Sequence, residues 1–181
     1  MIATDTRLIR QARVDDSEAI AAIYNPYILD TVISFEETPV DAAEMRQRMA
    51  KVTEAGLPWL VAEEDGELLG YAYATPWRVR SAYRYAVESS VYLAPAARGR
   101  GLGSQLYSEL LALLRARGLH TVIGGIAQPN AASVALHEKL GFKRVAMFEQ
   151  VGLKFGRWVD VGYWQVQLLA GEDADVPRNR A

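Results

Sequence analysis

The residues with the clearest capacity for chemistry form one run, Arg98-Gly99-Arg100-Gly101-Leu102-Gly103-Ser104. Three glycines within five residues let a backbone approach a ligand closely. The pattern that follows is helical, with Leu102, Leu106, Leu110, Leu113 and Leu114 on one face. First-turn amides have no partner inside their helix and lie at the positive end of its dipole, so turn and helix together make a pyrophosphate site. Two phosphate motifs do not fit. A dinucleotide fingerprint needs G-x-G-x-x-G, whereas the spacing here is G-x-G-x-G without a suitable acidic residue downstream. A nucleotide P-loop needs Gly-Lys-Ser/Thr, which is absent. The plain alternative is a glycine-rich turn that binds nothing.

Further groups with chemical potential precede and follow this run. Val87, Ser89, Val91 and Leu93 alternate with Glu88, Ser90 and Tyr92, the two-residue period of a strand, which Pro95 stops. Glu88 is a carboxylate among apolar and small residues, either a general base or an edge glutamate facing solvent. Just before it, PWRVRSAYRY sets Arg78, Arg80 and Arg84 among aromatics, and a guanidinium can hold a carboxylate through two bonds. His137 titrates near neutrality and can serve acid–base chemistry, whereas His120, just beyond Gly118, reads as an ordinary surface residue.

The elements that must position these groups follow from pattern. Leu8 to Arg13 reads as a strand, and Asp15 or Asp16 caps a helix through about Leu29. Asp30 to Pro39 is irregular and carries Phe35; Pro39 and Asp41 then open a helix over Ala42 to Ala55 that Gly56 ends. Trp59 to Ala62 and Leu68 to Thr75 form a hairpin across Asp65-Gly66. After the central strand, turn and helix come a strand from Thr121 to Ile126 and a short helix from Asn130 to Leu140, closed by Gly141. Two last strands, about Arg144 to Gln150 and Val159 to Leu169, flank a turn from Gly152 to Gly156. The order implies one α+β domain over residues 1–170, with a mixed, mostly antiparallel sheet flanked by helices and a polar tail at 171–181.

Composition narrows the function classes. A chain of 181 residues, half of them hydrophobic, is large enough for one unstapled core. Without cysteine there is no disulfide, thiolate metal site or cysteine nucleophile, and two histidines make a metal centre a poor expectation. A net charge of −2 is no footprint for nucleic acid, and no segment approaches a membrane span or a signal peptide. The expectation is a cytoplasmic protein that holds any polyanionic ligand through local groups.

Arg98-x-x-Gly101-x-Gly103 resembles the R-x-x-G-x-G turn of the GNAT acetyltransferases, placed as there between a strand and a helix. Asn130-x-x-Ser133-x-x-x-His137-x-x-x-Gly141-Phe142 resembles the second motif of that superfamily, whose helix lies beside the pantetheine arm. Within it the chain is similar to acetyltransferases of phosphinothricin, methionine sulfoximine and methionine sulfone. IYNPYI, ISFEETP, AVESSVYL, PNAASVALHEKLGF and VGLKFGRWVDVGYWQ are among the stretches that carry the likeness.

The resemblance implies a splayed central strand, with backbone groups of Val91, Tyr92 and Leu93 along the pantetheine of acetyl-CoA. It implies amides of Arg98, Gly99, Arg100, Gly101, Leu102, Gly103 and Ser104 at the pyrophosphate, and Asn130 and Ser133 at the cofactor, Asn130 also serving as a helix cap. The Leu93 amide is expected to face the thioester oxygen. Glu88 becomes the base for an α-amine, and His137 either the acid for the departing thiolate or part of a proton path. Arg80 and Tyr83 match best as the acceptor's carboxylate site, Arg78 and Arg84 being left to solvent. Phe35 is either an apolar wall beside the acceptor or a loop anchor. Lys154 matches a lysine that reaches the acceptor from the partner in a homodimer.

The implied activity is direct acetyl transfer from acetyl-CoA to the α-amine of small amino-acid analogues, without a metal. The alternatives are another primary amine (a polyamine, aminoglycoside or protein N-terminus) or a non-catalytic acetyl-CoA-binding module. Glu88, Arg80 and Tyr83 together argue against the last, since cofactor binding requires none of them.

Overall fold

The computed structural model describes residues 7–169; the expected polar tail at 171–181 lies outside them. In chain order the elements are β1 (Leu8–Gln11), α1 (Ser17–Asp30), α2 (Ala42–Glu54), β2 (Trp59–Glu64), β3 (Glu67–Pro76) and β4 (Ala86–Leu93). They continue with α3 (Leu102–Ala116), β5 (Thr121–Ala127), α4 (Ala131–Lys139), β6 (Lys143–Lys154) and β7 (Arg157–Gln167). The strands form one sheet in the order β1-β2-β3-β4-β5-β7-β6, and only β4 with β5 is parallel. The expected α+β class and mostly antiparallel sheet are both present.

Alternation along β4 divides the core in two. Val87, Val91 and Leu93 join the apolar layer beneath α3, with Leu102, Leu106, Tyr107 and Leu110. Tyr92 joins the other layer, where α1 and α2 cover Trp59, Val61 and Tyr71. Asp41 caps α2 by accepting from Glu44 N–H at 2.8 Å, as its position predicts. Asp16 behaves differently: it accepts from Arg13 N–H and pairs with Arg10 in a 3-10 turn, and α1 begins after it. Burial against the sheet holds α1 together past its internal Pro26.

The decisive feature for function is a fork. β4 pairs with β3 along Val87 to Leu93, but with β5 only through Ala86, Val87 and Glu88. From Ser89 onward β4 and β5 diverge, leaving a wedge between Ser89–Leu93 and Gly124–Ala127. This is the expected splayed strand.

The last hairpin is longer than pattern suggests. The expected turn at Gly152 to Gly156 shrinks to Phe155-Gly156, both at positive φ. An irregularity between Phe148 and Gly152, with Gln150 at φ 50°, hides the strand's continuation beyond Gln150, where pairing resumes through Lys154. Among the described residues no helix is long and apolar enough to cross a membrane.

Candidate active site

The wedge supplies backbone groups, because a strand residue turns its own N–H and C=O to one side. Ala94 N–H donates to Leu69 O on β3, so Leu93 and Val91 face away from β3, into the wedge. The wedge runs into a cavity of about 450 Å³ lined by Tyr27, Val91, Leu93, Arg98, Asn130, Ser133 and the glycine turn. Gly99 and Gly101 hold φ of 74° and 77°, a conformation that costs other residues strain. Their turn leads into the first turn of α3, whose amides have no partner within the helix, and Gly103 and Ser104 of that turn line the cavity. Asn130 Oδ1 accepts from Ser133 N–H at 3.1 Å, so Asn130 caps α4 while lining the same space. Arg98 lies over the Tyr27 ring at 5.2 Å, whereas Arg100 turns away to Glu64 at 2.8 Å.

This combination fits acetyl-CoA: a strand edge for an extended amide-bearing arm and a helix N-terminus for a pyrophosphate. One expectation changes. The Leu93 amide already donates to Tyr27 Oη at 3.3 Å, so the unoccupied amide facing the wedge is that of Val91.

Glu88 lies on the opposite face of β4 from Val87, half-buried beside the fork. Desolvation raises its carboxyl pKa above the ordinary range, and the Arg78 charge works against that rise. Its position depends on Gly125: a Cβ there would stand 3.2 Å from Glu88 Oε1 and 3.2 Å from the Tyr163 ring. Tyr163 is packed edge-on by Trp77 and Phe148, at 5.8 and 5.5 Å. Gly125, Tyr163 and Arg78 therefore belong to the Glu88 site, and sequence reasoning missed them. The usable signal was the Gly124-Gly125 pair inside a strand, which marks close approach by another group.

His137 occupies the other face. It is 5% exposed, and Gly124 makes room for it: a Cβ there would fall 2.5 Å from Nε2. Nδ1 lies 2.7 Å from Ser133 O, so it carries the proton and donates. Nε2 is then the acceptor for Tyr107 Oη at 3.1 Å, and Tyr107 meets Ser89 Oγ at 2.5 Å. Burial lowers the His137 pKa, against the opposing effect of the Ser133 carbonyl, which disfavours the imidazolium that would give a proton to a thiolate. The geometry favours the proton-path reading over the acid.

The acceptor residues are placed unevenly. Arg80 and Tyr83 are exposed. Arg80 rims a groove floored by Leu57, Val87 and Leu119, and Arg78 and Arg84 line the same groove. Arg78, expected to be solvated, is exposed but acts electrostatically on both Glu88 and Tyr163. Arg84 lies over Tyr85 and donates to Ser81 O. Phe35 is partly exposed against Gly152, which has no Cβ to exclude its ring.

Lys154 departs from expectation. It is 2% exposed and donates to Ile28 O and Ser34 O of its own chain, each at 2.6 Å. After the β6 irregularity, Gly152 and Lys154 turn inward while Val151, Leu153 and Phe155 turn outward. Its ammonium thus braces the α1–α2 loop instead of projecting from the molecule. Among the described residues no cluster of His, Asp and Glu could hold a metal ion.

Comparison with known proteins bears on the same features. The family model for the acetyltransferase (GNAT) family matches residues 20–142. The phosphinothricin N-acetyltransferase of Alcaligenes faecalis is 48% identical over 165 residues, covering 91% of this chain and 84% of that protein. The L-methionine sulfoximine/L-methionine sulfone acetyltransferase of Pseudomonas aeruginosa is 44% identical over 161 residues, covering 88% and 94%. A phosphinothricin acetyltransferase from Sinorhizobium meliloti, solved in complex with acetyl-CoA, superposes with a TM-score of 0.86 at 41% identity, covering 90% of this chain and 88% of that one.

Proposed function

The chain belongs to the acetyltransferase (GNAT) family, and from that premise we propose that it acetylates the α-amine of small amino-acid analogues from acetyl-CoA. Phosphinothricin, methionine sulfoximine and methionine sulfone are the acceptors its relatives' names point to. The observation that carries the reading is the placement of the Glu88 carboxylate at the mouth of a wedge whose facing amide, Val91, is free.

Acetyl-CoA supplies the acetyl group in activated, thioester form. An α-amine with pKa near ~8 is mostly protonated at neutral pH and must lose a proton before it can attack. Glu88 takes that proton, directly or through one water; its raised pKa makes it a better acceptor than a solvated carboxylate. The Val91 N–H donates to the oxygen on which negative charge develops during transfer. Ser89, Tyr107 and His137 form a run of exchangeable protons reaching the wedge, and His137 acts within it as a neutral relay. A guanidinium of the 78–84 loop holds the acceptor's carboxylate. Arg78 is favoured because its charge reaches Glu88, and Arg80 stands in the same groove as the second candidate.

The working form is a homodimer. β6 is an edge strand, and Phe148, Val151, Leu153, Phe155 and Trp158 on the β6–β7 hairpin are all more than half exposed. So much clustered apolar surface fits a second copy. The reading carries a cytoplasmic location, since a polyanionic thioester does not cross a membrane unaided.

A thiol-release assay over a panel of amines tests the function. Turnover is expected with the three amino-acid analogues and not with polyamines or aminoglycosides. Preference for a decarboxylated amine over its parent amino acid would overturn the acceptor reading.

A further inference from the structure

Two backbone pairs of β4 face the wedge, those of Val91 and Leu93, because β5 pairs no further than Glu88. Val91 looks into open space, but Leu93 does not. The Tyr27 hydroxyl donates to Leu93 O at 2.6 Å and accepts from Leu93 N–H at 3.3 Å. One side-chain hydroxyl thus supplies both partners that a neighbouring strand would otherwise give. The same ring carries the Arg98 guanidinium on its face, and Arg98 opens the glycine turn. Tyr27 itself is fixed: it is buried on α1 and packed edge-on against Tyr92 at 5.1 Å.

We propose that Tyr27 is a positioning residue for acetyl-CoA, holding the free end of β4 through its hydroxyl and the glycine turn through its ring. On this view a single α1 side chain sets the distance between the two halves of the cofactor site. Without the hydroxyl, Leu93 loses both partners and the end of β4 is free to shift across the wedge. Without the ring, Arg98 loses its support as well. The proposal rests on the acetyltransferase reading above.

Two substitutions separate the two contacts. Tyr27→Phe keeps the ring and removes the hydroxyl, whereas Tyr27→Leu removes both. Tyr27→Phe should raise the KM for acetyl-CoA roughly three- to tenfold, the range of one hydrogen bond, with kcat and the acceptor's KM close to the parent's. S-acetylpantetheine ends before the pyrophosphate, so Tyr27→Phe should weaken it by the same factor. Tyr27→Leu should cost acetyl-CoA a further severalfold but add little for acetylpantetheine. A parent-like KM for acetyl-CoA in Tyr27→Phe overturns the proposal. So does an equal loss in kcat and both KM values with lowered thermal stability, which marks a merely structural residue.

Amide hydrogen exchange supplies a measurement on the unsubstituted protein. Leu93 N–H should exchange more slowly than Val91 N–H before any cofactor is added. Equal rates would show that Tyr27 does not hold it. A parent protein that releases no thiol from acetyl-CoA would sink the acetyltransferase reading instead, while the exchange experiment would still decide the Tyr27–Leu93 contact.

Discussion

Gly124→Ala is the perturbation whose consequence the structure sets most directly. The added Cβ would stand 2.5 Å from His137 Nε2 and 2.8 Å from Cδ2, against the 3.4 Å at which ordinary contact begins. The ring must therefore retreat by about 0.9 Å, the difference between 2.5 and 3.4 Å. It has no easy retreat. Nδ1 is tied to Ser133 O, and Phe142 packs edge-on against the imidazole at 5.0 Å. A shift of that size takes the Tyr107–His137 hydrogen bond from 3.1 Å to a length at which it no longer counts. Overpacking costs about 1–3 kcal/mol, and an orphaned buried Nε2 about 1–3 kcal/mol more. A total of about 2–6 kcal/mol should lower Tm by roughly 4–24 °C in a chain of this length. The assay is urea and thermal unfolding of Gly124→Ala, His137→Ala and the double variant. With the imidazole gone, the new methyl enters vacated space, so Gly124→Ala should cost less than about 1 kcal/mol in that background. An equal cost in both backgrounds, or less than 1 kcal/mol in the parent, would refute the argument that Gly124 exists to seat His137.

Glu88→Gln should lower turnover by ~10²–10⁴-fold with little effect on acetyl-CoA binding, and high pH should restore part of it because more acceptor is then neutral. In the parent, the base form exists only above the carboxyl's raised pKa, so the rate should fall on acidification at a pH above the ordinary glutamate range. A flat profile there would exclude Glu88 as the base. Arg78→Ala should weaken binding of amino-acid acceptors by about 1.5–3 kcal/mol, far more than Arg80→Ala, and should barely affect the decarboxylated amine. The reverse ranking in acceptor KM would return the carboxylate to Arg80. Leu153→Asp with Phe155→Asp places charge on the outward face of the hairpin and should yield a monomer by analytical ultracentrifugation. A parent already monomeric at micromolar concentration, or an undisturbed dimer, would locate self-association elsewhere or remove it.

Much of the frame was legible because short-range chemistry dictates it. The two-residue alternation of Val87 to Leu93 gave a strand, and alternation alone put Glu88 and Val87 on opposite faces. Asp41 and Asn130 announced helix starts because their side chains satisfy amides two or three residues on. Other readings failed where long-range contacts override local ones. Asp16 looked like a helix cap until Arg10, held on β1, claimed its carboxylate. The continuation of β6 to Lys154 was hidden by one positive-φ residue, Gln150, whose N–H is held by Asp160 on the neighbouring strand.

The order of the elements, the glycine turn at the start of α3, and the presence of a carboxylate, an imidazole and arginines near it are all written in the chain. These follow from spacing and from backbone freedom, both of which are local. Which of those groups meet depends on the packing of the whole chain. Arg78, not Arg80, acts electrostatically on Glu88, although both arginines line one groove before β4. Lys154 braces its own chain, because the irregularity in β6 resets which residues point inward. The Leu93 amide is taken by a tyrosine 66 residues earlier in the chain. Such pairings depend on where separate elements come to rest against one core; the partners of Lys154 lie 126 and 120 residues away and that of Leu93 lies 66 away.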